Sequence, residues 1–450
     1  VGGLLPRLAD ALARLSARWV PDAFSIAALL TLLALALGLF VGGASPAQCV
    51  SAWGGGVWAL LSFGMQIALV IFAGYVLAVA PPVARALETL ARVPRGSRSA
   101  VAWTALLSMV LCWLNWGVGL IASAMLVRAI GRARPDADYR LLVAVAYLGM
   151  GTTWHGGPSG SVPLLLATPG NFMIRDGLVA GVVPLSQTIF TATNLGLMTA
   201  VVVVLTAFAA LLHPPRERTV AVPPRVLSQL SSFEPPGPPA SPTPAERLVH
   251  GPWLNRGLGL LALASLLLQA RAGTFAATLD SVNLVALALG LLLHPSPASL
   301  GKAAEEASRP LHGVVLQFPL YAGIYGIIRD TGLVESLTHA FLAVSSPGSF
   351  PLVVFAYSAV LNSLVPSGGA KWAMEAPYVL GAAAELGVGA TSVAMAYAYG
   401  DMATNLVQPF WAIPLLGVAR LEFRDILGYG LVFLVAYSAL VVGALALASA

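Results

Sequence analysis

The sequence predicts an all-α polytopic membrane protein built from two inverted repeats, each with a re-entrant hairpin and a broken helix. Three observations predict it: an apolar, charge-poor composition, basic residues concentrated in alternate loops, and motifs that recur between the two halves. Of 450 residues, 58% are hydrophobic and 10% charged, whereas soluble domains carry about 25% charged residues. That much apolar surface fits a bilayer and not a water-facing shell.

Crossings are expected near 24–42, 58–80, 140–165, 187–212, 256–271, 276–294, 313–331, 392–416 and 425–448. Two further apolar stretches, near 100–130 and 350–382, are broken in the middle by Asn115-Trp116-Gly117 and by Pro366-Ser367-Gly368-Gly369. Both read as hairpins that enter and leave on one side. Non-helical backbone at membrane depth is tolerated only where protein or a wet cavity covers it. The run after Arg7, Arg14 and Arg18 lacks a small-residue cleavage pattern and is expected to be a retained crossing, not a secretory signal.

This path puts the N-terminus and the loop 213–255 in the cytoplasm and the C-terminus outside. The basic residues test it. Its inner loops hold 20 of the 24 Lys and Arg, among them Arg85, Arg92, Arg95, Arg98, Arg128, Arg132, Arg134, Arg140, Lys302 and Arg309. Positive charge marks the inner side, and one extra crossing at either hairpin would move later basic loops outside. The net charge of +5 is therefore orientation, not a nucleic-acid footprint. Cys49 and Cys112 fit no metal or redox spacing and are expected to form no disulfide.

The division expected is a first repeat over 1–212, a Pro/Ser-rich linker over 213–255, a connecting helix over 256–271 and a second repeat over 272–450. Ser45-Pro46-Ala47 recurs as Ser296-Pro297-Ala298, and Leu114-Asn115 as Leu361-Asn362. Ala146-Tyr147 recurs as Ala396-Tyr397, all at an offset near 250 residues. Four crossings, a hairpin and one connecting helix start the second repeat on the opposite face. Inverted repeats that meet at broken helices are the design of alternating-access carriers.

Four broken segments should converge at the midplane. They carry Asn115, Trp116 and Ser123; Thr153, His155, Ser159 and Ser161; Ser367 and Lys371; and Asp401, Thr404, Asn405 and Gln408. Glycine and proline unwind helices. Unwinding frees N–H groups at half-helix N-termini, where the dipole favours an anion, and frees carbonyls for a cation. A carboxylate is the natural guest; the bland alternative is that small residues only let helices pack closely. Lys371 is either a fixed counter-charge for that carboxylate or one half of a structural pair with Glu375, four residues on. Asp401 is a candidate for H⁺ or Na⁺, with Asn115 and Asn405 beside it in the coupling site, and His155 for either a proton relay or a structural role.

At these residues the sequence resembles the short-chain fatty acid transporter family. The resemblance runs over nearly the whole chain. It rests on Asn115-Trp116-Gly117, Asp138-Tyr139-Arg140, Trp154-His155-Gly156-Gly157, Ala167-Thr168-Pro169-Gly170, Pro366-Ser367-Gly368-Gly369, and Gly400-Asp401 with Gln408-Pro409-Phe410-Trp411. It implies a scaffold domain and a moving transport domain of elevator type, a homodimer in the bacterial cytoplasmic membrane, and carriage of small monocarboxylates such as butyrate and acetoacetate with H⁺ or Na⁺. No enzyme activity, cofactor or metal is expected beyond a Na⁺ near Asp401. Lys371 departs from the neutral residue usual in that family, and Lys371-Trp372-Ala373 is similar to the p-aminobenzoyl-glutamate branch. The alternative is accordingly a larger carboxylate carrier or efflux pump. A third reading, an intramembrane serine protease, takes Gly157-Pro158-Ser159-Gly160 as a nucleophile motif; it needs a histidine base from another helix, and none lies at membrane depth there.

Overall fold

The computed structural model describes residues 23–222, 233–309, 311–363 and 365–449. The expected inner N-terminus, its three arginines and Arg225 lie outside the described residues. The first half runs α1 (Ala23–Phe40), α2 (Pro46–Gly56), α3 (Leu61–Ala78), α4 (Pro81–Leu90), α5 (Ser97–Leu114) and α6 (Trp116–Ala133). It continues with α7 (Tyr139–Ala146), α8 (Leu148–Thr152), α9 (Ser161–Ala167) and α10 (Ala192–Leu211). After α11 (Trp253–Arg271), the second half runs α12 (Leu279–Leu293), α13 (Pro297–Ser308), α14 (Leu311–Asp330), α15 (Leu333–Val344) and α16 (Phe350–Asn362). It ends with α17 (Gly368–Glu385), α18 (Ala390–Asn405), α19 (Ile413–Ala419) and α20 (Phe423–Ser449). Seven of the described helices are long and apolar enough to cross a membrane. This is a multi-pass, all-helical membrane protein.

The two halves repeat each other element by element. α1 to α6 correspond in order to α12 to α17, the pair α7 and α8 to α18, α9 to α19, and α10 to α20. The recurring Ser-Pro-Ala has a mechanical meaning. Ser45 and Ser296 each cap a helix by accepting from the N–H three residues on, with proline in the first turn where its missing N–H costs nothing. Packing between the halves is reciprocal. α2 lies on α14 as α13 lies on α3, and α3 packs on α12 as α14 packs on α1. Such exchange is the mark of a two-fold relation. Where α2 crosses α14, Gly56 and Gly326 bring the two backbones so close that a Cβ on either would strike the other.

The hairpin tips correspond at Asn115 and Ser367, not at Asn115 and Asn362. Asn115 (φ −156°, ψ 113°) and Ser367 (φ −148°, ψ 98°) are both extended N-caps of the second arm. Asn115 accepts from Val118 N at 3.0 Å, and Ser367 from Ala370 N at 3.4 Å. Asn362 ends α16 instead, five positions before Ser367. The arms also differ. α5 and α6 pack along their length, whereas α16 leaves α17 and lies along α18.

The linker is less plain than its composition predicts. Thr243 and Glu246 close a capping box that starts a short helix, Pro244–His250. Those bonds to the ionised form hold the Glu246 carboxyl below its usual range. Lys302 on α13 donates to the Glu234 carbonyl and lies over the Phe233 ring, tying the linker to the second half. α17 is buried on nearly every side, including Lys371 and Glu375. α11 buries only Asn255, Gly259 and Leu266 and turns a row of leucines outward, as a lipid-facing helix does.

Candidate functional site

Both broken helices break where expected. The first runs through α7 and α8, turns once as a 3₁₀ helix at Trp154–Gly156, and restarts at Ser161. The second ends α18 at Asn405, turns at Phe410–Ala412 and continues as α19. The hairpin tips are tied to these breaks. Trp116 N donates to Ser159 Oγ at 2.9 Å, and Trp411 Nε1 donates to the Pro366 carbonyl at 2.8 Å.

The tips and breaks enclose a cavity of about 450 Å³. Trp116 and Gly117 form part of its wall from the first tip, and Ser367, Gly368 and Gly369 from the second. Met150, Trp154, Ser161 and Trp411 come from the breaks, and Ile67, Phe318 and Tyr321 from α3 and α14. Arg309, just before α14, and His312, in the first turn of α14, also line it. The N-termini of α6 and α17 therefore face one space, each with the positive end of its dipole. Trp116 packs edge-on against Trp154 at 5.7 Å and against Trp411 at 5.4 Å between ring centroids. Trp116, Trp154 and Tyr321 line the wall, and the Nε1 atoms of the two tryptophans and the Oη of Tyr321 are buried without a hydrogen-bond partner. Buried donors normally find acceptors. Three without one, around an apolar space that receives two helix N-termini, fit a guest with a carboxylate head and a short apolar tail.

Of the residues selected from sequence, Trp116, Ser161 and Ser367 line the cavity. Others hold the frame. Thr153 donates to the Met109 carbonyl at 2.8 Å. Thr404 donates to the Ala359 carbonyl at 2.7 Å. Asn405 accepts from Asn362 and Gln408 and donates to the Met150 carbonyl at 2.9 Å, joining the two breaks. Asn115 caps α6, and Ser123 is buried in α6 without a partner. Sequence reasoning missed Trp154 and Tyr321 as donors; Tyr321 sits mid-helix in an apolar run, where a tyrosine reads as core.

The charged residues form a cluster directly behind the second tip. His155 Nδ1 donates to Asp401 Oδ2 at 3.0 Å, and His155 Nε2 accepts from Val162 N at 3.1 Å. A backbone N–H can only donate, so Nε2 bears no proton and the ring is the neutral Nδ1–H tautomer. Neither ring nitrogen bonds Ser159, so the arrangement a serine nucleophile needs is not formed. Lys371 Nζ lies 3.2 Å from Asp401 Oδ1. Two of the three ammonium hydrogens go to Ser358 O and Oγ, each at 2.8 Å. The structural pair of Lys371 is thus Asp401 on α18, not Glu375. The ammonium also lies 4.5 Å from the Tyr397 ring centroid, a favourable cation–π position.

Gly368 separates cavity from cluster. A Cβ there would stand 2.7 Å from His155 Cε1, 2.8 Å from Asp401 Oδ2 and 2.9 Å from Trp154. Gly368→Ala is expected to overpack the tip by about 1–3 kcal/mol, lowering the unfolding temperature in detergent while gel filtration still shows folded protein. An unfolding temperature equal to wild type would mean that the tip is not closely packed against the cluster.

The chain is similar to known proteins in fold and in sequence. The crystal structure of the YdaH transporter from Alcanivorax borkumensis, described as having an unusual topology, has a similar fold, with a TM-score of 0.57 over 95% of this chain and 98% of that one at 16% identity. A provisionally named short-chain fatty acid transporter of Escherichia coli K12 is 38% identical over 95% of this chain and 96% of its own. Its counterpart in Haemophilus influenzae is 34% identical over the same shares. The family described as Short chain fatty acid transporter matches residues 4–448. With coverage that complete, the chain belongs to the short-chain fatty acid transporter family.

Proposed function

We infer that this protein is a secondary active carrier of small monocarboxylates such as butyrate and acetoacetate, coupled to H⁺ or Na⁺, and not an enzyme. The observation that carries this reading is the trio of unpartnered donors, Trp116 Nε1, Trp154 Nε1 and Tyr321 Oη, around a cavity that receives two helix N-termini. A carboxylate supplies the acceptors that such donors lack, and the apolar wall takes its tail. Ser159 supports the frame by accepting from Trp116 N. Ser159→Ala is therefore a change of packing and not of chemistry: it should alter transport and reveal no proteolysis.

In this reading the hairpins and broken helices form a transport domain that moves against a scaffold in a homodimer of the cytoplasmic membrane. The repeats are inverted. The cavity reaches Arg309 and His312 at the start of α14, an end that the basic-residue pattern puts inside, so this conformation faces inward, and Arg309 would draw anions. Single cysteines at Ser349 and Glu385, which lie at the outer ends of the second hairpin's arms, should both react with an impermeant reagent from outside; the native Cys49 and Cys112 are buried. Reaction from opposite sides would break the hairpin topology.

Flux of labelled butyrate and acetoacetate in proteoliposomes, under separate Na⁺ and pH gradients, tests the function. One observation favours a second reading: 450 Å³ exceeds the need of a four-carbon acid. Faster flux of p-aminobenzoyl-glutamate than of butyrate in the same vesicles would favour the larger substrate.

A further inference from the structure

Among the described residues, Glu375 is the one carboxylate with both oxygens buried and without a hydrogen bond. Its side chain is fully buried in α17, one turn after Lys371. Lys371 does not serve it. The ammonium is turned to Ser358 and Asp401, and that pair is already neutral. His155 is neutral as well, by the tautomer its two bonds impose. An ionised Glu375 would therefore add one uncompensated negative charge to a closed interior, which a protein avoids by keeping the group protonated.

No other group packed against α17 takes this role. From α16, Tyr357 bonds the Tyr378 hydroxyl of α17 at 2.8 Å. From α18, Tyr397 donates to the Gly368 carbonyl at 2.7 Å, and Asp401 pairs with Lys371. From α14, His312 and Tyr321 line the cavity, Tyr325 bonds Asp176, and Arg329 bonds Asp330. From α15, Glu335 and His339 are exposed, and α9 carries no titratable side chain.

We propose that Glu375 is the proton site of the transport cycle, binding one H⁺ for each monocarboxylate carried, while Lys371 occupies as a fixed cation the place beside Asp401. The proposal rests on the carrier reading above and replaces the expectation that Asp401 holds the coupling ion. The step is a protonation only: the carboxylate of Glu375 accepts H⁺ from one side and returns it on the other. Coupling follows from position. The substrate's carboxylate binds at the N-terminus of α17, and Glu375 lies eight residues along the same helix, on the order of 12 Å away at about 1.5 Å per residue. Two carboxylates at that distance repel each other, and protonating Glu375 removes that repulsion, which at an effective dielectric near 20 changes each affinity by about tenfold. Anion and proton together make a neutral cargo, which the apolar path favours.

The test compares wild type, Glu375→Gln and Glu375→Asp in proteoliposomes with labelled butyrate, subtracting uptake by protein-free vesicles. Wild type should accumulate butyrate under an inward pH gradient without Na⁺. Glu375→Gln, which mimics the protonated carboxyl, should still exchange butyrate for butyrate yet lose accumulation by about tenfold or more. Glu375→Asp should keep coupling. In detergent, wild type should take up about half a proton per butyrate bound at some pH between 6 and 9, the most that a tenfold coupling allows, and Glu375→Gln none. This proton count on wild type, with the Glu375→Asp result, decides the matter if the glutamine variant does not fold. Full pH-driven accumulation by Glu375→Gln, or butyrate binding by wild type without proton uptake across that range, overturns the proton site alone. Wild type that exchanges no butyrate overturns the carrier reading, and the proton site with it.

Discussion

Lys371→Gln alone is expected to destabilise the protein by about 3–5 kcal/mol, and the double change Lys371→Gln with Asp401→Asn to recover most of that loss. Removing one partner of a buried ion pair leaves the other charge uncompensated, whereas removing both leaves two neutral amides of similar size. The pair is fully enclosed: both side chains are at most 1% exposed, with Nζ 3.2 Å from Oδ1. Thermal unfolding in detergent reads the effect directly. Recovery through Lys371→Gln with Glu375→Gln instead would mean that the lysine's true partner is its helical neighbour. The double change with Asp401 is expected to regain stability more fully than transport, because it also disturbs the hydrogen bond that orients His155.

The second large effect concerns binding without stability. Trp116→Phe, Trp154→Phe and Tyr321→Phe each remove a donor that has no acceptor within the protein. A hydrogen bond to a charged group contributes about 1.5–3 kcal/mol. Each change should therefore weaken butyrate affinity by roughly 10- to 100-fold while leaving the unfolding temperature unchanged or slightly raised. Ordinary buried donors behave in the opposite way, since their loss strands an acceptor in the protein. Concentration dependence of butyrate exchange, paired with thermal unfolding, separates the two cases. Variants that bind butyrate normally would place its carboxylate elsewhere.

Much of the fold was legible because membrane helices write themselves as long apolar runs. The hairpins were legible because Asn115-Trp116-Gly117 and Pro366-Ser367-Gly368-Gly369 interrupt such runs without adding charge. Ser45 and Ser296 were visible as a repeat but not as helix caps, a role that appears only when the first-turn N–H groups are seen to need acceptors. The repeat was misaligned at Asn362 because a dipeptide match carries no information about loop length. The partner of Lys371 was not legible. Sequence spacing offers Glu375 through the helical four-residue rule, but that rule describes exposed helix faces. Inside the bundle Asp401, thirty residues away, reaches the ammonium first. Thr153 and Thr404 had the right chemistry in the right segments, yet their hydroxyls donate to the Met109 carbonyl of α5 and the Ala359 carbonyl of α16, tying each break to the neighbouring hairpin arm. Tyr321 and Trp154 became visible only once the wall they share was closed by four separate segments.

The central claim is that a small carboxylate binds between the two hairpin tips. A structure of the full chain with 4-bromobutyrate, located by the anomalous signal of bromine, tests it most directly. The account predicts the bromine in the apolar part of the cavity near Ile67, Leu120 and Phe318, with the carboxylate at the N-termini of α6 and α17 beside Trp116 and Trp154. Bromine bound in full occupancy elsewhere, with this cavity empty, would contradict it.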